Sequence, residues 1–435
     1  MSPHAVVPVV KKNRGKPSVD LAEFAVTRNA FLPECSPLRK LPDPYYQPWE
    51  AIASRLPSLL ESEALRQAVA ELPVLSTARL QSEAEWRRAY AMLAFIANAH
   101  VWGGEEPDEV LPPQIARPLL DAASYLELPP VLTFAAAALW NFSCSGADMS
   151  RIDDLSLLFS FTGTESESWF YLISVAMEAK AANMVNKMMD ALAAVKTRDY
   201  PLITEALRDL CRCIDDLGIL LNRMYEKCDP LVFYHGIRPF LAGSRNMESA
   251  GLPRGVFYDE GEGQGEWRQL RGGSNGQSSL IQFFDVVLGV EHEGHGDKSS
   301  YHAEMREYMP GPHRRFLVHA ERMGSIRELA LGPQTTDEQR QLNAAYVDAT
   351  QALGGFRNRH LQIVARYIII PSKQTLSPAS PGPSRWRQNL ASSCSAQQVD
   401  DGLRGTGGTR LLPFLKAARD ETCRAGAGRP FAMKP

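Results

Sequence analysis

The stretch Gly355–Pro371, GFRNRHLQIVARYIIIP, carries an imidazole where one could hold a metal. Phe356, His360, Val364, Tyr367 and Ile368 recur at helical spacing, which places His360 on the apolar face of a helix beginning near Asp337. Pro371 stops that helix. Arg357 lies one turn earlier on the same side, and a fixed cation beside a buried imidazole favours its neutral form. The neutral ring is the one that ligates a metal. The same pattern also describes a core histidine bonded to a carbonyl, the more frequent use of such a position.

Other residues could do chemistry elsewhere. Arg238 precedes Pro239 inside a helical pattern, where proline disfavours α geometry at the preceding residue and kinks the chain. A kink can turn the guanidinium into a cavity, where its planar fork suits a carboxylate; a surface or ion-paired arginine is the commoner fate. Phe170 and Ser174 are four apart and share a helix face, which equally describes a core phenylalanine and a serine bonded to its own helix. Asp285 falls on an apolar helix, FFDVVLG, and a buried carboxylate needs a partner, for which Arg357 is the candidate. The glycine-rich run Arg271–Gly276 enters a helix and could hold an anion on backbone N–H groups. It lacks the GK[ST] of a nucleotide loop. His292, His295 and His302 sit in EHEGHGDKSSYH, a polar glycine-rich string without a helical metal-binding frame, and read as solvent-exposed. His313 and His319 read as surface or capping groups. Cys211 and Cys213 form a CxC with no second pair at zinc spacing and read as ordinary helix residues.

The elements that must position these groups are helical. Trp49–Leu72 shows helical periodicity interrupted at Pro57, and Ser82-x-x-Glu85 is a capping box for a helix ending at Gly103–Gly104. Pro112–Pro113 and Pro129–Pro130 open two more helical stretches, the second unusually Ala-rich. A long helix is expected from Glu165 to about Lys196, another over Thr204–Cys228, and Asp229–Pro230 read as N-cap and N1 of the next. A short hairpin is expected around Gly255–Leu270. Residues 372–404 are polar and Pro/Ser-rich, the composition of a linker or a lid leading into GTGGT.

The chain has 435 residues and a net charge of −3, so no basic surface for nucleic acid is implied. Its seven scattered cysteines point to reduced thiols and a cytoplasmic protein. No apolar run is long enough for a membrane helix. Residues 1–19, with Lys11, Lys12, Arg14 and Lys16 among prolines, read as a disordered tail. The division expected is an extended or disordered segment over 1–41, a small helical domain over 42–150, and a large helical domain over 151–435 that contains a flexible lid, 372–409.

RGGSNGQSSLIQFFDVVLG (271–289), NRHLQIV (358–364) and GTGGT (405–409) resemble the indoleamine 2,3-dioxygenase family in order and spacing. So do LPPVLTFA (128–135), LLFSF (157–161) and MREYMPGPHRRFL (305–317), and the resemblance covers most of the chain from about Pro42. It implies an all-α fold in which a small N-terminal helical domain covers a large C-terminal one, with haem b between them. The activity implied is insertion of both atoms of O2 into l-tryptophan to give N-formylkynurenine, in the kynurenine pathway. His360 then matches the proximal iron ligand, and Asp285 and Arg357 would hold its helix. Ser274 and Asn275 would meet a haem propionate, Asn275 standing where many relatives have a smaller residue. Phe170 and Phe233 would flank the indole, with Ser174 beside the indole N–H, while Arg238 would pair with the substrate carboxylate. Thr406 and Gly407 would sit near the substrate ammonium. Phe134 and Ala137 would line the distal pocket, where many relatives carry Tyr and Cys, a departure that bears on substrate affinity. The implied partners are l-tryptophan, O2 and an external electron donor that keeps the iron ferrous, acting on a monomer. The competing reading is a myoglobin-like O2 carrier or sensor of the same fold; a haem-free helical scaffold is a third.

Overall fold

A computed structural model describes residues 20–292, 300–374, 405–406 and 411–427. The architecture is helical, with one small three-stranded sheet and one short two-stranded hairpin among the described residues. Val110–Leu111 runs parallel to Val256–Gly261, which pairs antiparallel with Gln264–Arg268, and Phe142–Cys144 pairs with Leu155–Leu157.

The helix Glu83–Trp102 is the axis of the first third of the chain. Ser82 caps it, its Oγ accepting from Glu85 N at 3.3 Å. From Arg88 to Trp102 every residue is buried, the mark of a helix surrounded by protein rather than one with a solvent face. Its Asn98 holds two distant segments together. The amide nitrogen donates to Phe240 O at 2.8 Å and Ala242 O at 3.3 Å, and Oδ1 accepts from Leu132 N at 3.4 Å. Trp102 Nε1 adds a bond to Ala242 O. Asn98→Ala would leave buried backbone groups unpaired, an expected loss of about 1–3 kcal/mol. A denaturant melt would show it as a lower midpoint with the slope kept; an unmoved midpoint would refute this bracing role.

The second frame is the helix Asp337–Val364. Thr336 and Gln339 form a capping box at its start, and it packs along both Tyr200–Asn222 and the C-terminal helix Leu411–Ala427. One continuous apolar core runs from Val26 to Tyr367. No helix among the described residues is long and apolar enough to cross a membrane.

Three expectations are corrected. The single helix from Glu165 to Lys196 is two, Glu165–Lys180 and Ala182–Ala194, broken at Ala181. No Gly or Pro marks the break; both halves pack on the Tyr200–Asn222 helix, the first also on the Ala135–Leu139 turn and the second on the Gly311–Met323 helix. The helix over Thr204–Cys228 is likewise divided, into Tyr200–Asn222 and Met224–Lys227. The helical reading of the Ala-rich stretch gives only a π turn, Ala135–Leu139, before the chain passes into the Phe142–Cys144 strand. Residues 20–41 carry a 3-10 turn, Leu21–Phe24, and bury Phe31 and Leu32; Phe31 meets the rings of His313 and Phe316. Cys211 and Cys213 lie on the Tyr200–Asn222 helix as free thiols, and burial pushes them up to about 11 and about 12.

Candidate active site

Several chain segments meet at a cleft with about 180 Å³ of free space. The Asp337–Val364 helix brings His360, with Ile363 and Val364 beside it. The Glu165–Lys180 helix, started by the Thr164 cap, brings Phe170 and Ser174 on one face. Asp229 Oδ1 accepts from Leu231 N and Val232 N, and opens a π-helical turn, Val232–Ile237, that presents Phe233. At Pro239 the chain tightens into a 3-10 turn, and Arg238 at that junction is turned into the buried wall, 3% exposed. The kink read from Arg238–Pro239 is therefore a change of helix type.

His360 borders the cleft and is half-buried. Burial, and then the Arg357 charge, hold its ring well below its ordinary value, at about 4, so it is neutral at physiological pH. Among the described residues no hydrogen bond to its ring is made. Behind it, Arg357 Nη2 donates to both oxygens of Asp285 at 2.7 Å, and Arg357 Nη1 reaches Thr422 Oγ1. Burial opposes the Asp285 charge, but Arg357 and His292 overcome it and hold the carboxyl far below the usual range.

Across the cleft the Phe170 and Phe233 ring centroids are 4.9 Å apart, and Tyr367 meets Phe233 edge-on at 5.8 Å. These rings leave an apolar slot with Ser174 at one side and Phe134 and Ala137 at another. The Gly-rich loop forms the rim. Ser274 Oγ accepts from Gly276 N at 3.2 Å and from Tyr301 Oη at 3.3 Å, and Asn275 lies beside it. Gly272 is required here, because a Cβ would lie 2.0 Å from Leu241 O. Thr406 joins this rim, its Oγ1 donating to Gly273 O at 2.7 Å.

Phe134, Ala137, Phe170, Ser174, Phe233, Arg238, Ser274, Asn275, His360 and Thr406 thus line one cleft. Asp285 and Arg357 stand behind it. Gly407 and most of the expected lid lie outside the described residues. Sequence reasoning missed Tyr301 and Phe414, whose rings meet at 4.6 Å on the cleft wall. The apolar spacing of LLPFLK could have marked Phe414 as inward-facing; nothing marked Tyr301. It also misplaced three histidines. His292 and His302 are not solvent-exposed: the His292 side chain is 8% exposed and bonded to two carboxylates, and His302 stacks on it. His313 is buried, not a surface group, with Nδ1 3.1 Å from Ser279 Oγ. A glycine-rich polar string conceals such burial because one partner, Glu421, comes from a helix 129 residues away, the other, Asp285, from the helix just before. His319 is half-buried against Phe24, and His295 lies outside the described residues.

An apolar slot with a neutral imidazole on its wall and a polar glycine rim has the chemistry to hold a flat apolar group with acidic edges. Residues 20–425 match the family model described as indoleamine 2,3-dioxygenase. The chain belongs to the indoleamine 2,3-dioxygenase family. It is 41% identical over 418 residues to an indoleamine 2,3-dioxygenase of Aspergillus nanangensis, covering 94% of this chain and 97% of that one. It is 39% identical over 443 residues to the indoleamine 2,3-dioxygenase of Saccharomyces cerevisiae, with 95% of each covered. A 6-hydroxytryptophan 2,3-dioxygenase of Fusarium equiseti is 38% identical over 394 residues, covering 90% and 94%. Indoleamine 2,3-dioxygenases are haem-dependent oxidoreductases of all-α fold, in keeping with the helices and the histidine-walled slot found here.

Proposed function

We propose that this member of the family binds haem b through His360 and adds both atoms of O2 across the C2–C3 bond of l-tryptophan, giving N-formylkynurenine. The observation that carries the reading is the convergence of His360, Phe170, Ser174, Phe233 and Arg238 on one cleft from three separate stretches of chain. The cofactor would lie between the 42–150 segment, which supplies Phe134 and Ala137, and 151–435, which supplies the remainder. We take the protein to act in the cytoplasm as a monomer, with an external electron donor.

Each residue then has a task. His360 offers a neutral nitrogen to the iron, and the Asp285–Arg357 pair fixes the helix behind it. Ser274, Asn275 and Thr406 face the propionate edge, with Thr406 and Gly407 toward the substrate ammonium. The haem, when bound, supplies the oxygen chemistry itself. Arg238 takes the substrate carboxylate on its planar fork. Phe170 and Phe233 hold the indole in plane, and Ser174 sits by its N–H as a hydrogen-bonding or space-filling group. Among the described residues no carboxylate lines the cleft, so the reading assigns no side-chain base: the protein orients the substrate and excludes water.

The test is to load the protein with haem, reduce it without oxygen, then admit O2 with l-tryptophan. Growth of the formylkynurenine band is expected. A persistent oxygenated spectrum without product would put the chain with the O2 carriers. Product from 6-hydroxytryptophan but not from tryptophan would keep the reaction and change the substrate.

A further inference from the structure

Behind His360 the chain buries a second group of titratable residues. Asp285 receives Arg357 on both oxygens, and its Oδ2 lies 3.2 Å from His292 Nε2. The other His292 nitrogen, Nδ1, lies 2.6 Å from Glu421 Oε2 on the C-terminal helix. His302 stacks face to face on His292, centroids 3.6 Å apart and planes 13° apart. Arg306 is turned away, to Glu321 at 2.7 Å and Gln282 Oε1 at 2.8 Å.

Asp285, His292 and His302 bring one donor atom each within 4.8 Å of one another, which invites a metal reading. Three features oppose it. Both His292 nitrogens already face carboxylates, and both Asp285 oxygens face a guanidinium. The parallel histidine rings send their lone pairs side by side instead of toward one point.

An imidazolium fits better. Neutral imidazole has one N–H, so one end would set a lone pair against a carboxylate; only the protonated ring donates to both. Asp285 and Glu421 then balance Arg357 and His292. We propose that His292 is a positioning residue: as an imidazolium it clamps the C-terminal helix to Asp285 on the Ser279–Leu288 helix, and through the Asp285–Arg357 pair to the helix that carries His360, and so holds the cleft wall formed by Leu411, Phe414 and Leu415. The positioning part rests on the function proposed above; the clamp does not.

Titration of the ring agrees. Burial would lower the His292 value, but its bonds to Asp285 and Glu421 and the Asp285 charge outweigh that and raise it above ordinary histidine. His302, buried and beside the His292 charge, is pushed down to about 3 and is neutral, so the stack sets one cation on one neutral ring. With the folded value above the unfolded one, the clamp contributes fully below about pH 6.5 and fades as pH rises through the raised value.

The experiment is a series of thermal melts of haem-loaded protein between about pH 6 and 9, with EDTA or zinc as separate arms, beside the KM for tryptophan. Wild type is expected to lose about 2 °C more than His292→Gln across that window, and Glu421→Gln to move the loss to lower pH. KM should rise over the same window in wild type and stay flat in His292→Gln, with kcat little changed. Melts of wild type and His292→Gln that fall in parallel would overturn the clamp. Zinc raising the wild-type melting point, or EDTA lowering it, would overturn it in favour of a metal site. A melting difference without a KM difference would overturn the positioning role. A chain that oxidises no indole would remove the proposed function, and the melts would still decide the clamp.

Discussion

Replacing His360 by alanine is expected to remove the Soret band from the purified protein and all dioxygenase activity with it. The side chain is a neutral ring on the cleft wall. Outer-shell partners of metal ligands are worth 10–100-fold, so losing the ligand itself should weaken haem retention by more than about 100-fold. Stability of the haem-free chain should change little, because alanine suits a helix and the lost contacts face a cleft. Absorbance after reconstitution, read beside a melt of the apoprotein, separates the two effects. A His360→Ala protein with a full Soret band would sink the coordination scheme.

Arg238→Ala carries the second large effect. The guanidinium sits in a buried wall where a π turn gives way to a 3-10 turn. Removing one partner of a desolvated charge pair costs about 2–5 kcal/mol, an expected rise in KM of about 30- to 4000-fold. The haem spectrum should be unchanged, and kcat should fall less than kcat/KM, since on the function proposed above the pair would bind the substrate's amino-acid end, away from the reacting carbons. Arg238→Lys should recover little, because a point charge cannot reproduce the fork. Decarboxylated substrate offers a control, as wild type and variant should handle it alike. Unchanged kinetics in Arg238→Ala would remove the residue from substrate binding.

Much of the site was legible because its residues obey short-range rules. The His360 stripe follows helical spacing, Phe170 and Ser174 are one turn apart, and Pro239 announces the kink at Arg238. The demand of a buried Asp285 for a cation named Arg357, 72 residues away. What was not legible depends on long-range contact. His292 reads as surface until Glu421, 129 residues on, is brought against it. The break at Ala181 carries no Gly or Pro to announce it, and Phe31 packs on His313 and Phe316 of the distant Gly311–Met323 helix.

The three π-helical turns among the described residues, Ala135–Leu139, Val232–Ile237 and Ala365–Ile369, also had no local signature, and each puts residues on the cleft. A π turn holds one residue more than the α turn it replaces. Shortening any of them by a single residue would let the helix rewind and swing everything beyond it by about 100°, carrying Tyr367 and Ile368, or Arg238, out of line. These walls therefore accept changes of side chain far more readily than changes of length, and variation in the chamber's shape is confined to substitution.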